Sequence, residues 1–199
     1  SELYAVDIAL ILNQLDLEDS IYLYDQIDEE LSSDVLLEME EEKREALLAT
    51  FSTKEIAEQL DNMDSDDAAD VINELPEEIQ EEVLSHIEDI EQASDIADLM
   101  SFEEGTAGSL MAKELVSVYA HETVSACIDE IRRQTESVDV LYAVYVVDDN
   151  EKLIGMLSLK KLIVSHPLAK VEEIFDGDII SVKTSTSSED VAELIRKYD

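Results

Sequence analysis

Two aspartates four residues apart lie in the densest acidic stretch of the sequence. Residues 61–70 read DNMDSDDAAD, and Asp64 or Ser65 can cap a helix that then carries Asp66 and Asp70. This spacing places both carboxylates on one helix face, with Cβ atoms roughly 5–6 Å apart, where like charges destabilise the helix unless something neutralises them. From spacing alone, first-turn acids that complement the helix dipole are the simpler interpretation. A divalent-metal site is the alternative.

Other site chemistries lack the residues they need. An EF-hand calcium loop requires acids at alternate positions, a glycine at the sixth and a glutamate at the twelfth, which this stretch does not provide. His86, His121 and His166 are scattered, no glycine-rich phosphate loop occurs, and no nucleophile lies beside a base. Cys127, the single cysteine, falls in an apolar helical pattern typical of a small buried hydrophobe. The sequence therefore predicts a protein that is not an enzyme.

The negative charge is concentrated in the first half of the chain. The formal net charge is −38, and residues 1–101 hold 32 acids and 3 bases against 19 acids and 10 bases in residues 102–199. Such a field repels phosphate backbones and anionic lipid headgroups and attracts cations. We therefore expect no nucleic-acid partner and consider a divalent metal the natural small ligand. The simpler alternative is that the acids only keep the protein soluble.

Residues 3–101 show helical periodicity almost throughout. The stretch beginning DVLLEM at residue 34 aligns with DVINEL at residue 70, and the offset of 36 residues continues through the apolar positions that follow. A helical unit that recurs in this way cannot bury its apolar face alone, so helix pairs are expected to stack into a short superhelix. Pro76, followed by two glutamates, fits the start of a helix. Generic amphipathic sequence is the alternative to a true repeat.

Residues 102–112, FEEGTAGSLMA, separate two kinds of sequence. No glycine precedes this junction, whereas all four glycines and the runs of Val, Ile and Tyr follow from it onward. Beyond it the pattern predicts strand, helix, strand, strand and helix, at residues 115–118, 123–134, 142–147, 152–157 and 159–164. A second cycle is predicted by residues 171–175, a strand at 179–182 and a helix at 188–197. No apolar run approaches the roughly 18 residues of a membrane span, so the polypeptide itself is expected to be soluble.

These patterns resemble known families. The β-α-β-β-α order, with YAVYVVDDNEKLIGMLSLKKL and DIISVKTSTSSEDVAELI, resembles CBS domains. An acidic helical half followed by FEEGTAGSLMAKELVSV and a CBS pair resembles the cytosolic region of the MgtE family of magnesium transporters, over nearly the whole chain. The resemblance implies an all-helical superhelical N domain at 1–101, a junction at 102–112, a first CBS domain at 113–168 and an incomplete second one at 169–199.

The same resemblance implies a function and a set of metal ligands. The family's cytosolic region is a homodimer, joined through its CBS domains, in which bound magnesium holds the N domain against the CBS domains and favours a closed pore. This would place the chain at the cytoplasmic face of a bacterial cell membrane, attached to a pore domain of the same full-length protein. Carried over by position, the magnesium ligands are Asp66, Asp70, the backbone carbonyl of Ser109, Glu189 and Asp199. Ser187 stands where the family commonly has aspartate.

Two alternative functions are compatible with the sequence. Many CBS pairs bind adenosine nucleotides through an aspartate near the start of the domain's last helix, but this chain has Lys160 and Lys161 there. Lysines can contact phosphates but cannot accept a hydrogen bond from a ribose hydroxyl. The second alternative is a helical adaptor whose acidic face binds a basic protein.

Overall fold

The computed structural model describes residues 3–134, 141 and 143–198. Residues 3–101 form α-helices joined by short connections, in agreement with the helical periodicity of the sequence. These helices are α1 (Ala5–Leu12), α2 (Leu17–Tyr24), α3 (Glu29–Glu38), α4 (Glu41–Leu48), α5 (Thr53–Leu60), α6 (Ser65–Glu74), α7 (Glu77–His86) and α8 (Ile90–Leu99). No helix in the described ranges is long and apolar enough to cross a membrane.

The helices recur at a short and nearly constant interval. They begin at residues 5, 17, 29, 41, 53, 65, 77 and 90, so one helix and its connection occupy 12 or 13 residues. The offset of 36 residues seen in the sequence corresponds to three of these steps, which align α3 with α6 and α4 with α7. In space α1 contacts α3, α3 contacts α5 and α5 contacts α7, while α2 contacts α4 and α6 contacts α8. Successive helices therefore alternate between two layers.

Polar side chains cap the starts of several of these short helices. Ser52 and Glu55 form a capping box, in which the Glu55 amide donates to Ser52 Oγ (3.3 Å) and the Ser52 amide donates to Glu55 Oε2 (2.7 Å). Asp16 accepts from the Asp19 amide at 3.0 Å, and Asp89 accepts from the Glu91 amide at 2.8 Å. Part of the acidic content thus satisfies backbone donors that a helix start leaves without partners.

The core of the helical stack is aliphatic with one polar network inside it. The Tyr24 hydroxyl is shared between the Ser32 carbonyl at 3.0 Å and Gln59 Oε1 at 2.7 Å, and Ser32 Oγ donates to the same amide oxygen at 2.8 Å. Burial raises the pKa of Tyr24, so this phenol remains a neutral donor at physiological pH. The largest fully buried side chains of the helical stack include Leu12, Leu36, Leu47, Leu48, Ile56, Leu60, Ile72 and Ile96.

Contacts divide the chain into two compact units, Ser1–Lys113 with Thr184–Asp199, and Glu114–Lys183. The second unit holds β1 (Ser117–Tyr119), α9 (Val124–Gln134), β2 (Ala143–Val147), β3 (Leu153–Ser158) and α10 (Leu159–Val164). Its sheet has the order β1-β2-β3, with β1 parallel and β3 antiparallel to β2. The β-α-β-β-α order predicted from the sequence is present, and an all-helical part followed by a small sheet-containing part is confirmed.

Alternating valines and a buried cysteine form the core of this second unit. Val144 and Val146 of β2 are fully buried, as the period-two pattern of a strand requires, and Cys127 of α9 is buried with them. Burial, with the nearby Glu122 carboxylate as a smaller cause, raises the pKa of the Cys127 thiol to about 11. The cysteine is therefore a packing residue, as predicted.

The strand predicted at residues 179–182 is not formed. A strand needs a neighbour to complete its backbone hydrogen bonds, and within the described chain no strand pairs with these residues. The free edge of β3 instead pairs with Asp176, through hydrogen bonds of 2.9 and 2.8 Å exchanged with Met156. Phe175 packs against Gly155, where a Cβ atom would lie 2.2 Å from its ring. This close approach explains the glycine in the strand.

The junction pairs with a distant part of the first unit. The Ala107 and Gly108 amides donate to the Thr186 and Thr184 carbonyls at 2.7 and 2.8 Å, and the Ser188 amide donates to the Gly105 carbonyl at 2.9 Å. These bonds attach the segment that leads into α11 (Ser188–Tyr198) to residues 105–108. The boundaries predicted at 101, 112 and 168 remain predictions.

Candidate metal site

Helix α6 presents a row of three carboxylates on one face. Its opposite face is anchored by the buried side chains of Ala68, Ala69, Val71 and Ile72. Asp66, Asp70 and Glu74 follow each other at four-residue steps, so they project from the same side. Asp66 is half-buried and Asp70 is exposed. The fold thus brings together the two aspartates that the sequence singled out, with a glutamate that it did not.

Arg44 neutralises the last member of this row. Its Nε donates to Glu74 Oε2 at 2.8 Å and its Nη2 donates to Glu74 Oε1, which makes a bidentate, largely buried ion pair. Its Nη1 also lies 3.2 Å from the carbonyl oxygens of Leu36, Leu37 and Met39, at the end of α3. The pKa of Arg44 is raised, chiefly by the hydrogen bond to Glu74.

Asp66 and Asp70 have no comparable cation. Among the described residues no ion pair joins either of them to a base. The pKa of Asp70 is raised, first by partial desolvation and then by the negative charges of Asp66 and Glu74. Glu104 of the junction adds to this shift, and Arg44 opposes it. The row therefore retains negative charge that a bound cation would stabilise.

Ser109 lies in a short 3-10 turn, Gly108–Leu110, within the junction. Its hydroxyl donates to the Thr106 carbonyl at 3.0 Å, and no hydrogen bond to its own carbonyl oxygen is found in the described chain. Gly108 is fixed by packing, because a Cβ atom there would lie 2.5 Å from the Phe102 ring. The carbonyl predicted as a ligand thus lies in a short turn next to a closely packed glycine, but no described hydrogen bond joins Ser109 to Asp66 or Asp70.

Glu189 lies in the exposed first turn of α11. Ser187 precedes this helix and its Oγ accepts from the Asp190 amide at 3.2 Å, so the serine at the family's aspartate position acts as a helix cap. No hydrogen bond or ion pair of the described chain connects Glu189 with α6. Asp199, the remaining predicted ligand, lies outside the described residues.

The donor set fits a hard divalent cation. In the described ranges, no three His, Cys, Asp or Glu side chains are gathered closely enough to hold a metal ion by themselves. Mg²⁺ keeps several waters and needs only one or two carboxylates, whereas structural Zn²⁺ requires four protein ligands rich in Cys and His. Asp66 and Asp70 therefore suit a hydrated magnesium ion and do not suit zinc.

Sequence reasoning missed Arg44, Glu74 and Glu104. Arg44 is one of only three bases in residues 1–101, which was a signal that it has a specific acidic partner. Glu74 continues the four-residue spacing of Asp66 and Asp70, so periodicity alone could have found it. The effect of Glu104 on Asp70 depends on the path of the junction. Local sequence patterns do not specify that path.

Comparisons with known proteins match both parts of the chain. The family model described as the MgtE intracellular N domain matches residues 3–105, and that of the CBS domain matches residues 107–165. The magnesium transporter MgtE of Enterococcus faecalis is 38% identical over 109 residues, which is 55% of this chain and 24% of that protein. MgtE of Thermus thermophilus is 38% identical over 106 residues, or 53% of this chain and 24% of its own length. The chain thus matches about a quarter of these relatives.

Two solved structures have the same fold over essentially the whole chain. The cytosolic domain of the Mg²⁺ channel MgtE, in complex with ATP, superposes with a TM-score of 0.91 at 28% identity, covering 100% of this chain and 81% of that one. The soluble part of a magnesium transporter superposes with a TM-score of 0.84 at 31% identity, covering 99% of this chain and 77% of that one.

Proposed function

Because this chain belongs to the MgtE family, we propose that it is the magnesium-sensing cytosolic region of a magnesium transporter. Its role is regulatory and not enzymatic. Magnesium binding favours closure of the helical N domain on the CBS domains, and closure favours a shut pore. The pore belongs to a transmembrane domain of the same full-length protein, so the region lies at the cytoplasmic face of the bacterial cell membrane. Homodimerisation proceeds through the CBS domains, and nucleic acid is not a partner.

The single observation that supports this role is that the carboxylates on one face of α6 differ in whether they form an ion pair with a base. Glu74 is paired with Arg44, whereas no ion pair among the described residues joins Asp66 or Asp70 to a base, and the pKa of Asp70 is raised. Two unit charges about 4 Å apart at an effective dielectric near 20 repel by on the order of 4 kcal/mol. A hydrated dication between the carboxylates removes that repulsion. Ser109, Glu189 and Asp199 are the further ligands that we propose for the closed state.

Sensing follows from the difference between open and closed states. If only the closed state assembles the complete ligand set, magnesium at about 100 times its dissociation constant favours that state by roughly 2.7 kcal/mol. That is enough to shift a hinge whose states differ by a few kcal/mol. Weak, water-rich coordination by one or two carboxylates per ion suits a sensor of millimolar magnesium.

The proposal is tested by titrating magnesium chloride against sodium chloride of equal ionic strength. We expect magnesium to raise the Tm and reduce the radius of gyration of the wild type beyond the effect of sodium. Asp66→Asn combined with Asp70→Asn should be more stable than wild type in chelator and should gain much less from magnesium. The matched control is Glu78→Gln with Glu82→Gln, two exposed acids four residues apart on α7. If both double variants and the wild type respond alike, the α6 pair is not the sensor.

Nucleotide binding by the CBS part is a second candidate function. It is favoured by the superposition on an MgtE cytosolic domain that was solved in complex with ATP. In this chain Lys160 is exposed and Lys161 pairs with Asp176 at 2.6 Å, so Lys160 is the more available phosphate contact. Calorimetric titration with ATP in chelator tests this function. Binding that Lys160→Gln weakens and Lys152→Gln does not would support it, and an absence of binding both in calorimetry and in equilibrium dialysis would exclude it for this chain.

A further inference from the structure

A cavity of about 230 Å³ lies within the helical stack, where α2, α3 and α5 meet. Tyr24 and Ser32 in its lining are buried, whereas Asp25, Glu55 and Glu58 are exposed, so the cavity opens to solvent on an acidic side. The volume corresponds to about seven water molecules and is below the roughly 300–1,000 Å³ of pockets for drug-sized ligands. The cavity therefore suits a small ligand or a single side chain.

The helical repeat shows that the lining of this cavity departs from the pattern of the other repeats. Helices α1 to α7 begin at intervals of 12 residues, so equivalent positions can be read directly from the sequence. Tyr24, Phe51 and Gln59 each occupy a position that the six other repeats fill with Leu, Ile, Val or Met. The equivalents of Tyr24 are Leu12, Leu36, Leu48, Leu60, Ile72 and Leu84. Those of Phe51 are Leu15, Ile27, Met39, Met63, Leu75 and Ile87. Those of Gln59 are Ile11, Leu23, Val35, Leu47, Val71 and Val83. All three departures meet at the one cavity.

These departures give the cavity aromatic faces and hydrogen-bonding groups. The ring centroids of Tyr24 and Phe51 lie 5.8 Å apart. The Tyr24 hydroxyl and Ser32 Oγ lie 2.7 and 2.8 Å from Gln59 Oε1. A buried hydrogen-bonded set is often no more stabilising than apolar side chains of the same shape, and the other repeats contribute to the same core with aliphatic residues. Packing alone therefore does not explain the aromatic and polar lining, whereas recognition of a ligand does.

The charges at the cavity favour a cation. Among the described residues no ion pair joins Asp25 or Glu55 to a base, while Glu58 pairs with Lys54. Hydrogen bonds from the Ser52 amide and hydroxyl lower the pKa of Glu55, so this carboxylate stays ionised. These carboxylates repel an anion. In the described ranges no three acidic, His or Cys side chains are gathered to hold a bare metal ion.

An organic cation uses both halves of the lining. Aromatic rings attract an ammonium group within about 6 Å of their centroids, and they also cover an apolar alkyl stem. We propose that this cavity binds a primary alkylammonium group, with its stem against Tyr24 and Phe51 and its charge toward Asp25 and Glu55. A free diamine and the side chain of a lysine both supply this chemistry.

The test measures binding to the whole 199-residue chain by calorimetry in chelator, so that the result does not depend on magnesium. The probes are diaminobutane, butanediol, which has the same stem without charge, and N-acetyl-lysine methylamide, which presents a lysine side chain. Phe51→Leu removes the ring and restores a residue found at the same position in other repeats. Asp25→Asn with Glu55→Gln removes two charges without removing volume, and Gln retains the capping box.

Matched controls separate the cavity from the general negative charge. Tyr22→Leu removes an exposed aromatic ring of α2, and Glu18→Gln with Glu45→Gln removes two exposed acids of α2 and α4. None of these three residues lines the cavity. Thermal melts verify that each variant is folded.

We expect diaminobutane to bind wild type and both controls alike, and to bind each cavity variant about fivefold more weakly. Butanediol should not bind. The proposal is overturned if butanediol binds as well as the diamine, if Phe51→Leu binds like wild type, or if the control acids matter as much as Asp25 and Glu55. Tighter binding of the lysine derivative than of diaminobutane would identify a protein lysine as the source of the ammonium group, and the reverse order would identify a free amine.

Discussion

Asp70 illustrates how a single carboxylate can work against the stability of the fold that positions it. Its pKa is raised mainly because part of its surface is desolvated, and Asp66 and Glu74 add to the effect. Four-residue spacing predicted the proximity of the two aspartates. It did not predict the desolvation, which depends on the parts of the chain that pack near the end of α6.

The raised pKa of Asp70 has a defined consequence for stability. The folded state binds a proton at Asp70 more readily than the unfolded state does. Protonation therefore adds to the free energy of unfolding as the pH falls through the raised pKa toward the ordinary pKa of aspartate. At higher pH this contribution is absent. We expect Asp70→Asn to be more stable than wild type at pH 7, with an advantage that shrinks across that window. Urea unfolding at a series of pH values measures it. An advantage that stays constant across the whole pH series would refute the assignment.

Arg44 acts in the opposite direction, because it satisfies a largely buried carboxylate. Arg44→Met leaves Glu74 without its partner and removes hydrogen bonds to three carbonyls at the end of α3. We expect a loss of about 3 kcal/mol in the free energy of unfolding. Arg44→Met with Glu74→Leu should recover part of it in a double-mutant cycle. Lys54→Met, which breaks the exposed pair with Glu58, should change stability little. A large effect there would contradict this explanation.

At the scale of elements, short-range patterns predicted most of the helices and strands. Apolar periodicity indicated that residues 3–101 are helical but did not separate the eight helices, and a continuous apolar run located β2. The strand predicted at 179–182 failed because Ile and Val content indicates only a preference, while a strand exists only beside a hydrogen-bonded partner. The repeat offset of 36 residues was correct, but it spans three helices and not a helix pair. Matches between apolar positions do not show how many helices lie between them.

Helix α11 offers a substitution that separates stability from metal binding. Ser187 caps this helix, and aspartate caps a helix about as well as serine. Ser187→Asp should therefore leave the unfolding free energy unchanged within about 0.5 kcal/mol while adding a carboxylate near Glu189. We expect tighter magnesium binding in calorimetry, with Ser188→Asp as the neighbouring control. Equal binding by wild type and Ser187→Asp would show that the start of α11 contributes no metal ligand.

At the scale of the whole molecule, the family resemblance drawn from the junction and the helical half is confirmed by the matches to MgtE proteins. The ligand set remains a prediction. Its members come from separate segments of the chain, so no local pattern specifies how they meet. Asp66 and Asp70 could be paired from spacing. Ser109 and Glu189 were assigned only by analogy, and the described contacts connect neither of them to α6.

The net charge of −38 should make the stability of the chain depend on salt. Lowering the ionic strength from about 0.15 M to about 0.01 M extends the Debye length from about 8 Å to about 30 Å, so repulsion between more distant acids is no longer screened. We expect a lower Tm and a greater loss of amide-exchange protection in α1–α8 than in β1–β3, because residues 1–101 hold 32 of the 51 acids. Uniform loss of protection would mean that local charge density does not control stability.

The pairing of residues 105–108 with 184–188 has a consequence for how the polypeptide folds. It makes Glu114–Lys183 an inserted domain, which interrupts the sequence of the unit that begins before it and resumes after it. Joining the two ends of an unfolded segment costs closure entropy that grows with its length. An insert that folds first replaces this long loose segment by a compact one and lowers that cost. We therefore expect the inserted domain to act as an early folding nucleus, and α11 to be among the last elements to become protected.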